Sequence, residues 1–390
     1  MRQHIIGAAV GAAALAGAGI AQADEIKIGF IATLSGPAAA LGQDLLDGFQ
    51  LGIADSGGTL GGLDVDLIVE DDQLKPDVGR QVAQSMLERD EVDMIVGIVF
   101  SNVMMAVAPL VIENETILVS ANAGPSPLAG EMCSPYFFNV AWQNDNTHEA
   151  MGQYVKDQGF DNVYIMAPNY PAGTDALAGF KRFYDGGLAG EVYTQLNQTD
   201  YAAELAELRA ANPDAVYIFY PGGMGVNFVK QYAQAGLMET IPLFGPSFSF
   251  DQTILPAVGE AALGVFNTSF WTQDLDNAAN AQFVAGFEAA YDRIPSPYAA
   301  QAYDAARLLD SALAAVGGAT DDTAALIAAL EAADFESVRG PFRFNTNHFP
   351  IQNFYVREVV MLDDGRIGNA LRGTVFEAHG DAYAADCPME

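Results

Sequence analysis

Apolar residues recur along the chain at two different spacings, which predicts strands and helices in turn. The segment 25–32 is a short, largely apolar run with partial alternation, typical of a strand. From Ala38 onward, apolar side chains recur every four residues at Leu41, Leu45 and Phe49. This is the period of a helix, and a pair of glycines ends it. From residue 25 onward, the chain is therefore predicted to begin with a strand followed by a helix.

The alternation continues through the first third of the chain. We predict strands over 65–69 and 93–99, and helices over 78–87 and 103–112. The second of these strands is almost wholly apolar. Buried strands that alternate with helices are typical of a parallel sheet covered by helices on both faces.

A second unit with the same alternation begins after about Gln143. Its predicted strands are 162–167, 215–220 and 242–245, and its predicted helices surround 151–155, 175–184, 201–211 and 227–236. Ala-rich amphipathic helices follow over 283–315 and 321–333, and a last strand over 354–362. The pattern thus predicts two α/β units in tandem, each with its own core.

The first residues follow a different pattern. Arg2 precedes an uncharged apolar run over 5–20, and Ala21-Gln22-Ala23 follows it. A basic start, an apolar core and a small-x-small site are typical of a signal peptide. The run of about 16 residues is short for a membrane-spanning helix, which needs about 20. We predict cleavage after Ala23 and export of the rest.

Composition narrows the function classes. The chain has 390 residues, 17 Lys+Arg, 50 Asp+Glu and a formal net charge of −33. Such a charge repels phosphate backbones, so we expect no nucleic-acid partner. Two cysteines, Cys133 and Cys387, are too few for a disulfide-dense scaffold or a Cys-rich cofactor site. Export permits a bond between them, and two free thiols are the alternative.

Catalytic motifs are missing from the sequence. It contains no H-E-x-x-H, no G-x-S-x-G, no Walker loop and no C-x-x-C. The three histidines after residue 23, His148, His348 and His379, are widely separated, and 222–225 lacks dinucleotide-binding spacing. The acidic run 70–72 does not match a calcium loop and is interpreted as a solvated turn. We therefore expect no enzyme and no cofactor.

Small polar residues follow three predicted strands of the first unit. They lie in the loops 33–37, which contains Ser35, 100–102, which contains Ser101, and 120–126. Hydroxyls and the free N–H groups of a helix N-terminus can hold an anion without a Lys or Arg. Capping and turn chemistry is the alternative for each loop. Three such loops in one α/β unit favour a shared pocket for a carboxylate.

The second unit contributes aromatic residues on loops. Trp142 lies where the alternation restarts, and Tyr170 lies in the loop 168–171. Tyr220 and Phe248 each follow a predicted strand. Large rings on loops can line a cleft for a ring or an aliphatic side chain. Ordinary packing between the two units is the alternative.

These features resemble a known family. Residues 24–365 are similar to the leucine/isoleucine/valine-binding branch of the periplasmic solute-binding proteins that serve ABC transporters. The stretches that carry the resemblance are 28–37 (IGFIATLSGP), 96–101 (VGIVFS), 117–122 (ILVSAN), 243–246 (LFGP) and 298–305 (YAAQAYDA). The resemblance implies an α/β fold of two Rossmann-like, doubly wound lobes joined by a three-stranded hinge, the type I periplasmic binding protein.

The resemblance also implies a domain division. Family members often pair a Cys in the Cys133-Ser-Pro-Tyr context with a Cys in the tail, which supports a Cys133–Cys387 bond. The hinge crossings are expected near 141–143, 270–273 and 343–348. The expected boundaries are a signal peptide at 1–23, an N-terminal lobe at 24–142 and 272–345, and a C-terminal lobe at 143–271 and 346–390.

Ligand contacts are implied position by position. Ser101 matches the Ser that holds the ligand carboxylate in amino-acid-binding members. The second hydroxyl position reads Asn122-Ala123-Gly124, so the Asn122 side chain or backbone N–H groups must substitute. In such members, two acidic residues hold the ligand ammonium. The one that follows Gly-Pro corresponds to Ser247 here, and the other corresponds to Asn144 or Asp145. The Tyr that these members have on the first loop is replaced by Leu41.

Losing a clear ammonium partner argues against an α-amino acid, because a buried unpaired ammonium costs several kcal/mol. Our first hypothesis is a receptor for an aromatic acid of the benzoate or hydroxybenzoate type. The stretch 220–228 is also similar to the corresponding stretch of family members that bind such acids. The alternative is a branched-chain or other aliphatic amino acid, with Asp145 as the ammonium partner. The expected binding residues are Ser35, Leu41, Phe100, Ser101, Asn122, Ala123, Gly124, Trp142, Asn144, Tyr170, Tyr220, Gly222, Met224, Ser247 and Phe248.

The resemblance implies partners and a location. We expect a periplasmic monomer that closes around a small carboxylate and delivers it to the membrane permease and ATPase of an ABC importer. The alternative is a different class of function, in which the same fold acts as a ligand-sensing domain and delivers its ligand to a signalling receptor. No residue in the sequence separates transport from sensing.

Overall fold

Two β-sheets, each covered by helices, form the core of the molecule. The computed structural model describes residues 25–389, so the predicted signal peptide lies outside the described residues. The strands are β1 (Glu25–Ala32), β2 (Thr59–Leu60), β3 (Leu63–Asp71), β4 (Met94–Gly97), β5 (Ile117–Ser120), β6 (Phe137–Asn139), β7 (Asn162–Pro168), β8 (Gly187–Thr194), β9 (Ala215–Ile218), β10 (Leu243–Pro246), β11 (Phe266–Ser269), β12 (Arg343–Phe344), β13 (Pro350–Met361) and β14 (Ile367–His379).

Helices cover both sheets. They are α1 (Ala39–Asp55), α2 (Pro76–Ser85), α3 (Ser101–Glu113), α4 (Ser126–Ala129), α5 (Asn146–Asp157), α6 (Pro171–Phe183), α7 (Ala202–Ala211), α8 (Gly223–Gln234), α9 (Leu255–Val258), α10 (Ala278–Tyr291), α11 (Pro297–Ala315) and α12 (Thr323–Ala332). Within residues 25–389, no helix has both the length and the apolar character to cross a membrane.

The strand order defines two lobes. The first sheet has the order β2-β3-β1-β4-β5-β6, with every pair parallel except the β2–β3 hairpin. The second has the order β12-β13-β11-β10-β9-β7-β8, with β14 beside β13. Its central strands are parallel, and β13 joins antiparallel to its neighbours. The predicted fold of two doubly wound α/β lobes is confirmed.

The chain passes between the sheets three times, after β6, after β11 and before β12. The residue-level lobe boundaries stay a prediction. Two buried arginines hold these passages. Arg339 donates from Nε to Asp304 Oδ2 (2.7 Å) and from Nη1 to the Ala141 carbonyl (2.9 Å). Arg357 donates to Asn267 Oδ1 and, from Nη1, to the Trp271 carbonyl (3.1 Å).

The Ala-rich helix predicted over 283–315 is wrong as a single element. The structure has two helices, α10 and α11, separated at 292–296. Asp292 has a left-handed φ of 53°, and Pro295 and Pro297 follow it. Proline cannot continue a helix, and the Ser296 side chain accepts from the Ala299 amide to begin a new one. The break places Tyr298 at the start of α11.

Several edge strands were not predicted, among them β2, β6, β8, β12 and β14. The expected solvated turn at 70–72 is also wrong. Asp72 is fully buried and accepts hydrogen bonds from the Thr33 hydroxyl (2.6 Å) and the Leu74 amide (2.7 Å). Its burial raises the pKa of the Asp72 carboxyl. These donors fix the loop after β1 against the end of β3.

The C-terminal tail is covalently attached to the first lobe. Cys133 and Cys387 form a disulfide with a Cα–Cα distance of 5.6 Å, which confirms the expected pairing. The tail leaves the second sheet after β14 and reaches Cys133, which lies between α4 and β6. The bond therefore closes a loop across 254 positions of the sequence that runs through both sheets.

Because it closes so long a loop, the disulfide should stabilise the fold mainly by restricting the unfolded chain. We expect the double variant Cys133→Ser/Cys387→Ser to lose about 2–5 kcal/mol in free energy of unfolding. Urea unfolding followed by circular dichroism measures the difference, with the oxidised wild-type protein as reference. An unchanged unfolding midpoint would show that the tail bond does not stabilise the fold.

Candidate functional site

A buried cavity lies where the carboxyl ends of both sheets meet. Ligands of open α/β sheets bind at this edge. All of the residues that line the cavity are buried. They are Leu41, Val99, Phe100, Ser101, Asn122, Ala123, Trp142, Asn144, Tyr170, Ala172, Phe219, Pro221, Phe248 and Tyr298. Most stand directly after β4, β5, β6, β7, β9 or β10.

Aromatic rings form most of the cavity wall. Phe100 from the first lobe lies 6.1 Å from Tyr170 of the second, centroid to centroid. Phe248 lies 4.5 Å from Trp142 and 5.2 Å from Tyr298. The rings therefore meet across the boundary between the lobes. Six rings line the cavity, those of Phe100, Trp142, Tyr170, Phe219, Phe248 and Tyr298.

One polar group of the cavity is built around Ser101. The Asn144 Nδ2 group donates to the Ser101 hydroxyl (3.0 Å) and to Asp175 Oδ2 (2.9 Å). The Gly124 amide donates to Asn144 Oδ1 (3.1 Å), which fixes the orientation of that amide. Ser101 Oγ also lies 3.5 Å from Asn144 Oδ1, which is long for an O–H···O hydrogen bond, so the hydroxyl proton can turn to a better acceptor in the cavity. The arrangement presents a hydroxyl donor to the cavity.

Asp175 also connects the lobes. It lies on α6 and accepts from the Ser126 amide (3.1 Å) and the Ser126 hydroxyl (2.8 Å) at the start of α4. Burial raises the pKa of Asp175, while the donors on Asn144 and Ser126 oppose that effect. The contact exists only when the lobes are together, so the group that orients Asn144 is assembled by lobe contact.

The cavity wall contains no charged side chain. None of its lining residues carries an ionisable acid or base except the two tyrosines. Burial raises the pKa of both Tyr170 and Tyr298 far above the ordinary value, so their hydroxyls remain protonated. The polar atoms available to a ligand are therefore hydroxyl and amide groups, which suit an uncharged group or a carboxylate better than an ammonium.

The structure places Asn144 and Asp145, the two candidates for one ligand-binding position, in different surroundings. Asn144 lines the cavity. Asp145 is fully buried away from it, where its Oδ2 accepts from Arg182 Nη1 (2.6 Å) and from the Tyr383 hydroxyl (2.8 Å). Asp145 is thus engaged by an arginine and by the tail, and it does not reach the cavity.

The Asn122 side chain is also hydrogen-bonded within the protein. Its Nδ2 donates to the Val99 carbonyl (2.6 Å), and its Oδ1 accepts from Gln301 Nε2 (2.6 Å). The amides of Ala123 and Gly124 donate to Ile98 and to Asn144. The expected substitution of Asn122 or these amides for a second ligand hydroxyl therefore competes with existing bonds.

Nine of the fifteen predicted binding residues line the cavity, and six do not. Ser35 is exposed beside Asp71, because it precedes a short 3-10 turn at the rim. Gly124 lies behind the wall, where a Cβ would meet the Trp142 carbonyl at 2.1 Å. Gly222, with a φ of 61°, lies against Leu41 of the opposite lobe.

The other three point into the second lobe. Tyr220 and Met224 belong to its hydrophobic core, where the Thr194 hydroxyl donates to the Tyr220 hydroxyl (3.1 Å). Ser247 is fully buried, and its Oγ has no hydrogen-bond partner in the described chain.

Five lining residues were not predicted. Phe219 and Pro221 flank Tyr220, and the alternation of side chains along an extended segment places them on the opposite face from it. Val99 and Ala172 adjoin predicted residues. Tyr298 belongs to a stretch that carried the family resemblance, but its place at the cavity depends on the start of α11.

The fold and the site define a class of protein. Two doubly wound sheets with a closed cavity between them are the architecture of a solute receptor. The profile of the periplasmic binding protein family matches residues 25–366, and this chain belongs to that family.

Individual relatives agree. A Leu/Ile/Val-binding protein homolog of Brucella melitensis is 30% identical and covers 93% of this chain, with 95% of its own length matched. The structure is similar to a solute-binding protein from R. palustris in complex with benzoate, with a TM-score of 0.88, 33% identity and coverage of 93% and 99%. Another, from Rhodopseudomonas palustris in complex with 3,4-dihydroxybenzoic acid, has a TM-score of 0.86, 31% identity and coverage of 92% and 99%.

Removing the Asn144 side chain tests the polar group around Ser101. In Asn144→Ala, Asp175 loses one of its donors inside the protein, and Ser101 loses its fixed partner. We expect about 1–3 kcal/mol lower free energy of unfolding, as for an unsatisfied buried polar group. Chemical denaturation measures it, with Asn169→Ala, on an exposed loop, as control. Equal stability of the two variants would contradict the role of Asn144.

Proposed function

We propose that this protein captures a small aromatic carboxylate in the cavity between its lobes and delivers it to an ABC importer. The observation that carries the proposal is the composition of the wall: six aromatic rings, several hydroxyl and amide donors and no charged side chain. An aromatic ring buries well against other rings, and a carboxylate accepts hydrogen bonds from neutral donors.

The carboxylate end of the ligand is assigned to Ser101. This residue begins α3, whose first amides have no partner within the helix. The helix N-terminus adds partial positive charge, which favours an anion. The Ser101 hydroxyl donates to one carboxylate oxygen, and Asn144 keeps it oriented. No lysine or arginine is required.

Closure of the two lobes around the ligand would couple binding to capture. Phe100, Ser101 and Tyr298 belong to first-lobe elements, whereas Tyr170 and Phe248 belong to second-lobe elements. A ligand between them contacts both lobes only when they are closed, so it shifts the hinge equilibrium toward closure. The lobes are proposed to divide at 142/143, 271/272 and 345/346.

The relatives support the aromatic ligand. The two Rhodopseudomonas proteins described above were solved with benzoate and with 3,4-dihydroxybenzoic acid. Permease and ATPase partners, periplasmic location after cleavage behind Ala23, and a monomeric state are further parts of the proposal. They follow from membership of the family and from the predicted signal peptide.

A branched-chain or aliphatic amino acid is the second candidate, favoured by relatives named as Leu/Ile/Val-binding. Its ammonium needs an acidic partner in the cavity. Asp145, the expected partner, is bonded to Arg182 and Tyr383 instead. Because the wall offers no carboxylate, the aromatic acid is the better candidate.

A thermal-shift comparison separates the two candidates. A ligand that binds only the folded protein stabilises it by about 2.7 kcal/mol at a hundredfold excess over Kd. We expect benzoate or 4-hydroxybenzoate to raise Tm and leucine to leave it unchanged. If leucine alone raises Tm, the ligand is an amino acid and the aromatic-acid proposal is wrong.

Replacing Ser101 tests the carboxylate end. We expect Ser101→Ala to weaken binding of benzoate by about 1–3 kcal/mol, as for a hydrogen bond to a charged group. Titration calorimetry measures Kd, and Ser85→Ala, a residue outside the cavity, is the control. Unchanged affinity in Ser101→Ala would remove Ser101 from the site.

A further inference from the structure

The cavity wall contains a buried N–H group without a partner. Trp142 lines the cavity with only 2% of its surface exposed, and its Nε1 has no hydrogen-bond partner within residues 25–389. An indole N–H is a donor only, and burying it unpaired is costly. Trp271, the other tryptophan of the chain, instead donates from Nε1 to Asn280 Oδ1 at 2.7 Å.

The Trp142 ring belongs to the aromatic wall rather than to the polar group around Ser101. Its ring neighbours are Phe248 at 4.5 Å and His148 at 5.7 Å, which follow β10 and lie on α5. Both elements pack in the second lobe. The bonds around Ser101 involve Asn144 and Gly124 and not the indole. The indole N–H is therefore not used by the hydrogen bonds that orient Ser101.

Two more buried polar atoms on this side have no partner in the part of the chain that the structure describes. They are Ser247 Oγ, next to Phe248 in the sequence, and His148 Nε2. The Nδ1 of His148 is hydrogen-bonded to the Tyr217 hydroxyl. Burial lowers the pKa of His148 to about 3, so the imidazole is neutral. Neither Ser247 nor His148 lines the cavity, so of these three unpaired atoms only the Trp142 indole N–H belongs to a lining residue.

We propose that the Trp142 indole N–H donates a hydrogen bond to a ring hydroxyl at the end of the ligand away from its carboxylate. The site then selects ring-hydroxylated aromatic acids over benzoate. The inference rests on the proposed function and narrows its substrate class. A site built to bond a ligand hydroxyl disfavours the analogue that lacks it, because the buried donor is left unpaired.

Calorimetric titration with 4-hydroxybenzoate and benzoate tests the proposal. We expect the wild-type protein to bind 4-hydroxybenzoate about fivefold or more tightly than benzoate, as one hydrogen bond provides. In Trp142→Phe, which keeps a ring but removes the N–H, the ratio should fall to about one through weaker binding of 4-hydroxybenzoate. We expect 2-hydroxybenzoate, whose hydroxyl adjoins the carboxylate, to gain nothing over benzoate.

Trp271→Phe is the matched control. It removes a paired indole N–H outside the cavity, so it should lower Tm and leave the wild-type ratio of Kd values unchanged. With Trp142 then the single indole, emission excited at 295 nm gives a second readout that needs no substitution at Trp142. A hydrogen bond to the indole N–H moves emission to longer wavelength, so we expect a larger red shift with 4-hydroxybenzoate than with benzoate.

The outcomes separate this inference from the proposed function. If the wild-type protein binds both acids with equal Kd, or Trp142→Phe weakens both equally, or the emission is the same with both, the inference is wrong and the aromatic-acid receptor stands. If neither acid binds the wild-type protein, the proposed function fails and the inference fails with it.

Discussion

A buried guanidinium at the hinge is the constraint on which the rest of the structure depends. Arg339 is almost fully buried, and a buried charge left unpaired costs several kcal/mol. Asp304 of α11 supplies the counter-charge, and the Ala141 carbonyl and Gln352 of β13 accept further bonds. The Gln352 amide also donates to the Ala141 carbonyl at 2.8 Å. One cation thus joins the first chain passage, a first-lobe helix and a second-lobe strand.

This junction positions the ligand site directly. Trp142 and Asn144 follow Ala141 along the chain, so fixing the Ala141 carbonyl fixes the backbone that carries both side chains into the cavity. Tyr298 is held on the same helix as Asp304, the counter-charge of Arg339. The cavity is therefore anchored at the hinge, while the contact of Asp175 with Ser126 connects the two lobes beside it.

The electrostatic character of the cavity differs from that of the whole chain. The formal net charge is −33, yet the cavity wall carries no charged side chain. Exposed charges are screened over about 8 Å at physiological ionic strength, so their long-range field contributes little inside the site. In a buried cavity, a few oriented hydroxyl and amide dipoles act in a low dielectric and decide what is bound. An acidic receptor for an anionic solute is thus physically consistent.

The sequence by itself determined the alternation of apolar strands and amphipathic helices, because burial on two sheet faces imposes those periods; β1 has the predicted bounds. It also placed polar loops such as 100–102 at strand ends. Edge strands such as β14 were missed because half-exposed edges lack an apolar signature. Only the tertiary structure decided which of two neighbours lines the cavity, Asn144 rather than Asp145 and Phe219 rather than Tyr220. That choice depends on contacts between residues far apart in the chain, such as Asp145 with Arg182 and Tyr383, which no local pattern encodes.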